Sequence, residues 1–230
     1  MGRSYRNQIR LGEPLRTEVQ KIKEDVAETF GVQAALREHS TPSISLLGPY
    51  NSRRPEKLKE TTRETLAAFD VVPFRVTGFG HFDERVVYAT VVPSPKLFAL
   101  REQLATDLRP VAYNLEDDSE GFEQFHITIA YKDIERQFDD IWSFVTENYE
   151  LQREAYATRV TTLERRRMVW EWDLPRGVEL RQREATTDAS WRRTRAALGE
   201  QTMEFDHDFE DPNEQSGLLR RATTRLWEML

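Results

Sequence analysis

Two short segments set the strongest constraint on this chain. Ser43-Ile44-Ser45-Leu46 and His126-Ile127-Thr128-Ile129 match position for position: polar, apolar, polar, apolar. Successive side chains on a β-strand point to opposite faces, so each segment turns its two polar groups one way and its two apolar groups the other. Each copy also leads into a charged loop and then a helical stretch. A unit repeated in this way points to two similar lobes that face each other.

The elements around the repeat follow from periodicity and punctuation. Pro14 opens a helix carrying Leu15, Val19, Ile22, Val26 and Phe30, and Gly31 closes it. Residues 43–47 read as a short strand ending at Gly48-Pro49. A second helix carries Leu58, Leu66 and Phe69. The runs "PFRVTGFG" and "ERVVYATVV" form a hairpin. Ser94-Pro95 starts a third helix through Leu97, Leu100, Leu104 and Leu108, and Pro110 stops it. After the acidic loop "NLEDDSEG" and the strand "FHITIAY", Ile134, Phe138, Ile141, Trp142 and Val145 mark a fourth helix. Two strands follow, one over about 157–163. In the other, Met168, Trp170, Trp172 and Leu174 alternate with Val169, Glu171 and Asp173, which predicts one buried and one wetter face.

Beyond Pro175 the chain turns polar and Arg-rich, with the acidic patch "EFDHDFEDPNE" and two apolar anchors, Trp191 to Leu198 and Leu218 to Leu230. The expected division is a domain over 1–175 and a polar, partly helical C-terminal extension over 176–230. That extension would dock on the domain or a partner and be dispensable for folding.

Composition narrows the function. The 230 residues are 38% hydrophobic and 32% charged, enough for a core. Cysteine is lacking, which excludes disulfides and thiolate metal sites. No apolar run approaches the ~20 residues of a membrane span, and no signal-peptide core is visible, so the expectation is a soluble cytoplasmic protein. A formal charge of −7 argues against a grip on long duplexes. Any nucleic-acid contact should be local: a strand end, or a nucleotide in a cleft.

With these residues in view the chain resembles the two-histidine phosphoesterase superfamily, which includes the RNA 2′-5′ ligase-like proteins and the 2′,3′-cyclic phosphodiesterases. Its mark is a pair of His-x-Thr/Ser-x motifs, one per lobe. "FHITIAY" is similar to that motif, and "PSISLLGPY" resembles the first copy with its Gly-Pro-aromatic tail. The hairpin and the Leu-rich helix after it are also similar to the family's middle section. The resemblance covers about residues 5–175. It implies an α+β, two-lobed fold, with antiparallel sheets around a central cleft and helices outside. It also implies metal-independent, cofactor-free opening of a cyclic phosphate by paired histidines, one acting as base and one as acid. The partners implied are RNA ends or nucleotides bearing a 2′,3′-cyclic phosphate or a 2′-5′ linkage.

Carried over residue by residue, His126 is the acid or base, and Thr128 and Ser45 bind phosphate oxygens. Ser43 stands where the first histidine belongs. A hydroxyl orients water but is no base near neutral pH, so this departure weakens catalysis. The literal His39-Ser40-Thr41 reaches the site only if the chain folds back at Thr41-Pro42; the strand register favours Ser43 as the partner of His126. Tyr50 and Tyr131 are candidates to stack a base, with packing as the alternative. Arg54, with Arg53, Lys57 and Lys59, is a candidate basic rim for RNA phosphates or a solvated helix start. His81 belongs at a hairpin turn. No histidine has ligand-like spacing, so no metal is expected.

Three functions fit. One is a cyclic phosphodiesterase or RNA ligase-like hydrolase with weakened turnover. Another is a non-catalytic module that binds RNA ends or nucleotide phosphates. The last is an interaction protein that docks through its extension.

Overall fold

Alternation decides the first strand as well as the repeat. In residues 3–10, Tyr5, Asn7 and Ile9 are buried, while Arg6 and Gln8 on the other face are only half-buried. The computed structural model describes residues 2–38, 41–115 and 124–200. In chain order its strands are β1 (Arg3–Arg10), β2 (Ser43–Ser52), β3 (Val72–Phe82), β4 (Val86–Pro93), β5 (His126–Tyr131), β6 (Gln152–Ala157), β7 (Arg159–Glu164), β8 (Arg167–Asp173) and β9 (Val178–Leu180). They form a five-stranded sheet ordered β2-β1-β7-β8-β9 and a four-stranded sheet ordered β5-β4-β3-β6. Every pairing between these strands is antiparallel. This is the α+β, two-lobed architecture that the repeat and the resemblance implied.

The repeated motif sits as its periodicity requires. Ile44, Leu46, Ile127 and Ile129 are each at most 1% exposed and share one hydrophobic core. Full burial of such a side chain stabilises by about 1.5–3 kcal/mol, so a one-residue slip of either strand would expose its apolar pair.

The helices are α1 (Leu15–Phe30), α2 (Ala34–Glu38), α3 (Pro55–Ala67), α4 (Pro95–Leu108), α5 (Phe138–Asn148), α6 (Gln182–Ala185) and α7 (Asp188–Glu200). α1 buries Leu15, Val19, Ile22 and Val26, and Gly31 ends it in the left-handed region at φ 70°. Ser94 caps α4 by accepting from the Leu97 N–H, with Pro95 in the first turn. At the start of α2 the Asp133 carboxylate accepts from the Gln33 and Ala34 N–H groups, which fastens the segment before β2 to the end of β5.

Three expectations need correction. β2 does not end at Gly48-Pro49 but continues to Ser52 along β1. The strand expected over 157–163 is divided: β6 ends at Ala157 in the four-stranded sheet, and β7 begins at Arg159 in the five-stranded one. The single residue between them, Thr158, is 5% exposed and accepts from the Leu174 N–H at 2.9 Å.

The third correction concerns the boundary at residue 175. Residues 176–200 belong to the fold: β9 extends the sheet beside β8, and α6 and α7 cover its far face. Beneath them lies Arg159, fully buried. Its guanidinium donates to Glu171 (3.1 Å), to the Ala185 carbonyl (2.9 Å), to Ser190 (3.0 Å) and to Thr194 (2.6 Å), and it lies 3.8 Å from the centre of the Trp191 ring. Glu171 and Asp173, read from alternation as a wetter face, are both fully buried because that face is roofed by these helices. The second apolar anchor and the acidic patch lie outside the described residues.

Removing one partner of a buried ion pair strands the other, at about 3–5 kcal/mol. Glu171→Ala leaves Arg159 and Arg10 buried without their shared carboxylate, and urea denaturation should show a loss of that size. A chain ending at Pro175 loses Ser190, Thr194 and the Ala185 carbonyl together. It should show no native thermal transition by circular dichroism.

Candidate active site

The polar faces of the two repeats line one cavity of about 490 Å³. His126 and Thr128 enter it from β5, and Ser43 and Ser45 from β2. Strand geometry brings each pair to the same face, and packing of Ile44, Leu46, Ile127 and Ile129 holds the strands in register.

His126 is half-buried, with the rings of Phe82 and Tyr88 5.0 and 5.2 Å from its own. Burial disfavours the imidazolium and lowers the pKa below the usual 6.5, while the Gln124 carbonyl opposes this. Nδ1 lies 3.2 Å from that carbonyl. A carbonyl only accepts, so Nδ1 carries the proton and Nε2 is the basic atom. Across the cavity the Ser43 hydroxyl donates to Gln8 Oε1 at 3.3 Å.

The cationic part of the lining was not read from the sequence. β1 contributes Arg6, Gln8 and Arg10, and the turn between β7 and β8 contributes Arg165 and Arg166. Among the described residues that line the cavity there are four arginines and no carboxylate. The chain as a whole carries −7, so these four arginines form a local cationic patch opposite in sign to the net charge. Alternation in "RSYRNQIR" was the available signal, though only Tyr5 and Ile9 are apolar there. The run Arg165-Arg166-Arg167 gives no such signal, because in one dimension it looks like any solvated charged turn.

Gly48 shapes the wall. Its φ is +106°, and a Cβ there would stand 2.9 Å from the Tyr5 carbonyl oxygen, so β2 can hug β1 at this point only with glycine.

Two expected binding residues lie elsewhere. Tyr50 is fully buried; its hydroxyl donates to Asn7 at 2.6 Å and its ring packs with Tyr5, Leu47 and Leu58 in a second core. It is a packing residue because β2 continues past Gly48-Pro49 and turns it inward. Arg54 stands exposed at the start of α3 and is not part of the lining. Nearby Lys57 and Lys59 pair with Glu60 and Glu179. His81, on β3, contacts Phe138 and Trp142 instead of the cavity. Tyr131 does line it. His39 and Ser40 lie outside the described residues, while Thr41 is at the cavity wall.

The family model of the 2′-5′ RNA ligase superfamily matches residues 11–168. The chain belongs to that superfamily of two-histidine phosphoesterases. The matched span contains both repeats but neither Arg6, Gln8 and Arg10 nor the segment from β9 to α7. Among solved structures, E. coli LigT complexed with 3′-AMP is 15% identical; the match covers 76% of this chain and 99% of LigT, with a TM-score of 0.49. Usb1 of Kluyveromyces marxianus is 15% identical over 78% of this chain and 98% of its own, with a TM-score of 0.43. No curated protein matches in sequence.

Tyr50→Phe separates packing from recognition. Losing the buried hydrogen bond to Asn7 should cost about 0.5–1.5 kcal/mol in chemical denaturation. Titration with a nucleoside phosphate should give the wild-type affinity.

Proposed function

We propose that the protein is a slow, metal-independent phosphodiesterase acting on 2′,3′-cyclic phosphate ends of RNA or nucleotides. Supporting this reading is the convergence of His126, Thr128, Ser43 and Ser45 on one arginine-lined cavity in a two-histidine phosphoesterase. Water attacks phosphorus as His126 Nε2 takes its proton. The new P–O bond forms, one ribose P–O bond breaks, and a phosphomonoester with a free hydroxyl results. Thr128 and Ser45 donate to the non-bridging oxygens, where charge builds in the transition state. The leaving ribose oxygen takes its proton from solvent, because Ser43 supplies no acid at this point. Ligation by the reverse path would face the same deficit.

Ser43 also favours a second reading, in which the site binds phosphate ends without turnover. The two readings differ at one position. Ser43→His should raise hydrolysis of a nucleoside 2′,3′-cyclic phosphate, up to the ~10²–10⁴-fold that general acid–base catalysis contributes. His126→Ala should abolish turnover in either background and weaken binding of a 2′-phosphate product, with Thr128→Ala weakening it less. Unchanged calorimetric affinity in both variants would remove this cavity as the phosphate site.

The pH profile has a definite sign. Because burial lowers the pKa of His126, the neutral base persists to lower pH than in a free imidazole. The acid limb of kcat/KM should have its midpoint below pH 6.5, and a midpoint above it would assign the base elsewhere.

A further inference from the structure

Resting on the phosphate-end reading, we infer that the cavity takes two phosphoryl groups at once. The second is the one on the 5′ oxygen of the terminal nucleoside, bound by Arg6 and Arg165. The ligand is then an RNA 3′ end with an internal phosphodiester, in preference to a nucleoside with a single phosphate.

The arrangement of β1 carries this. Arg6, Gln8 and Arg10 alternate onto the face that lines the cavity. Arg10 pairs with Ser43 across β2, at the motif end of the cavity. It is 8% exposed, and its Nη1 donates to both Glu171 oxygens at 3.1 and 2.8 Å. The guanidinium also lies 5.3 Å from the centre of the Trp191 ring, so it is pinned at that end. Nε and Nη2 have no protein partner among the described residues. Such a group is a built anion donor, placed with His126 and Thr128 for the phosphate that reacts.

Arg6 stands four residues away on the same strand, roughly 13 Å at strand rise. Arg10 is pinned at its own end by Glu171, so a phosphate held there lies at the far end of the strand face from the Arg6 backbone. Beside Arg6 is Arg165, whose backbone N–H donates to the Ser4 carbonyl at 2.8 Å and ties the β7–β8 turn to the start of β1. Neither Arg6 nor Arg165 has a side-chain ion pair among the described residues. No carboxylate among the described lining residues competes for them. They form a second cationic pole at the other end of the cavity, and the ribose of a terminal nucleotide would lie between the poles.

Calorimetry on the full chain tests this with adenosine 2′-phosphate, adenosine 2′,5′-bisphosphate and the dinucleotide ApA carrying a 2′-phosphate. The ligands with a second phosphoryl group should bind about tenfold tighter or more, the worth of a charge-assisted contact. Their log K should also fall more steeply with log salt. A gain for both assigns the subsite to any 5′-phosphoryl; a gain for the dinucleotide alone assigns it to the internal diester of RNA. Arg6→Met and Arg165→Met should each reduce the gain to less than about threefold, with melting curves near wild type. Wild-type protein that binds all three equally overturns the inference while leaving the phosphate-end reading intact. Wild-type protein that binds none of them, nor inorganic phosphate, overturns that reading and the inference with it.

Discussion

The buried carboxylate of Glu171 is the charge on which the other parts of the molecule depend. It accepts from Arg10 on β1, Arg159 on β7 and Thr161 on β7, and is itself fully buried on β8. Desolvating a carboxylate and two guanidinium groups is costly, and only a complete shell of partners offsets the cost. That shell is built from the segment after β8: the Ala185 carbonyl, the hydroxyls of Ser190 and Thr194, and the face of Trp191. The C-terminal helices are therefore part of the sheet's electrostatics. They also fix the guanidinium of Arg10 at one end of the cavity, which links the stability of the lobe to the geometry of its site.

The charge distribution explains how an acidic protein can present a cationic cavity. Glu171 lies behind Arg10, away from the lining, and neutralises it in part without occupying the cavity. The remaining arginines of the lining face solvent in a concave setting, where a local field outweighs the sign of the whole surface. Asymmetry runs through the same site. One lobe offers an imidazole whose neutral form burial favours, the other a hydroxyl and a guanidinium. Neither of the latter exchanges protons near neutral pH, so the cavity is better equipped to hold charge than to move protons in both directions.

What was legible in the sequence was what periodicity and punctuation can carry. The two motif strands, the Gly31-capped helix, the β3–β4 hairpin and the Ser94-Pro95 helix start are local signals, and each formed near its expected place. That His126, Thr128, Ser43 and Ser45 share one cavity could be anticipated because a repeated strand pattern makes its polar face explicit. β1 was missed because its inward face is Tyr5, Asn7 and Ile9, and its Asn7 is buried through hydrogen bonds with Tyr50 and Thr162, not through apolar character. Tyr50 was misplaced for a related reason: where a strand passes through Gly-Pro, its inside and outside cannot be read from spacing alone. The domain boundary failed because buried ion networks look, in one dimension, like a solvated charged segment. Arg159, Glu171 and Asp173 give no sign of their burial until the helices that cover them are in place.

Thr158 joins the two sheets by a single buried residue, fastened through its carbonyl to Leu174. A connector that short behaves as a weld rather than a hinge, since one residue offers only two soft torsions and here its carbonyl is already committed. The spacing between the walls of the cavity is thus constrained by the backbone where β6 passes into β7, one residue before Arg159, the β7 partner of Arg10 in the lining. Within such a frame, the width of the cavity follows from the joint between the two sheets. Evolution or design could retune that width by lengthening the joint, with every lining side chain left as it is.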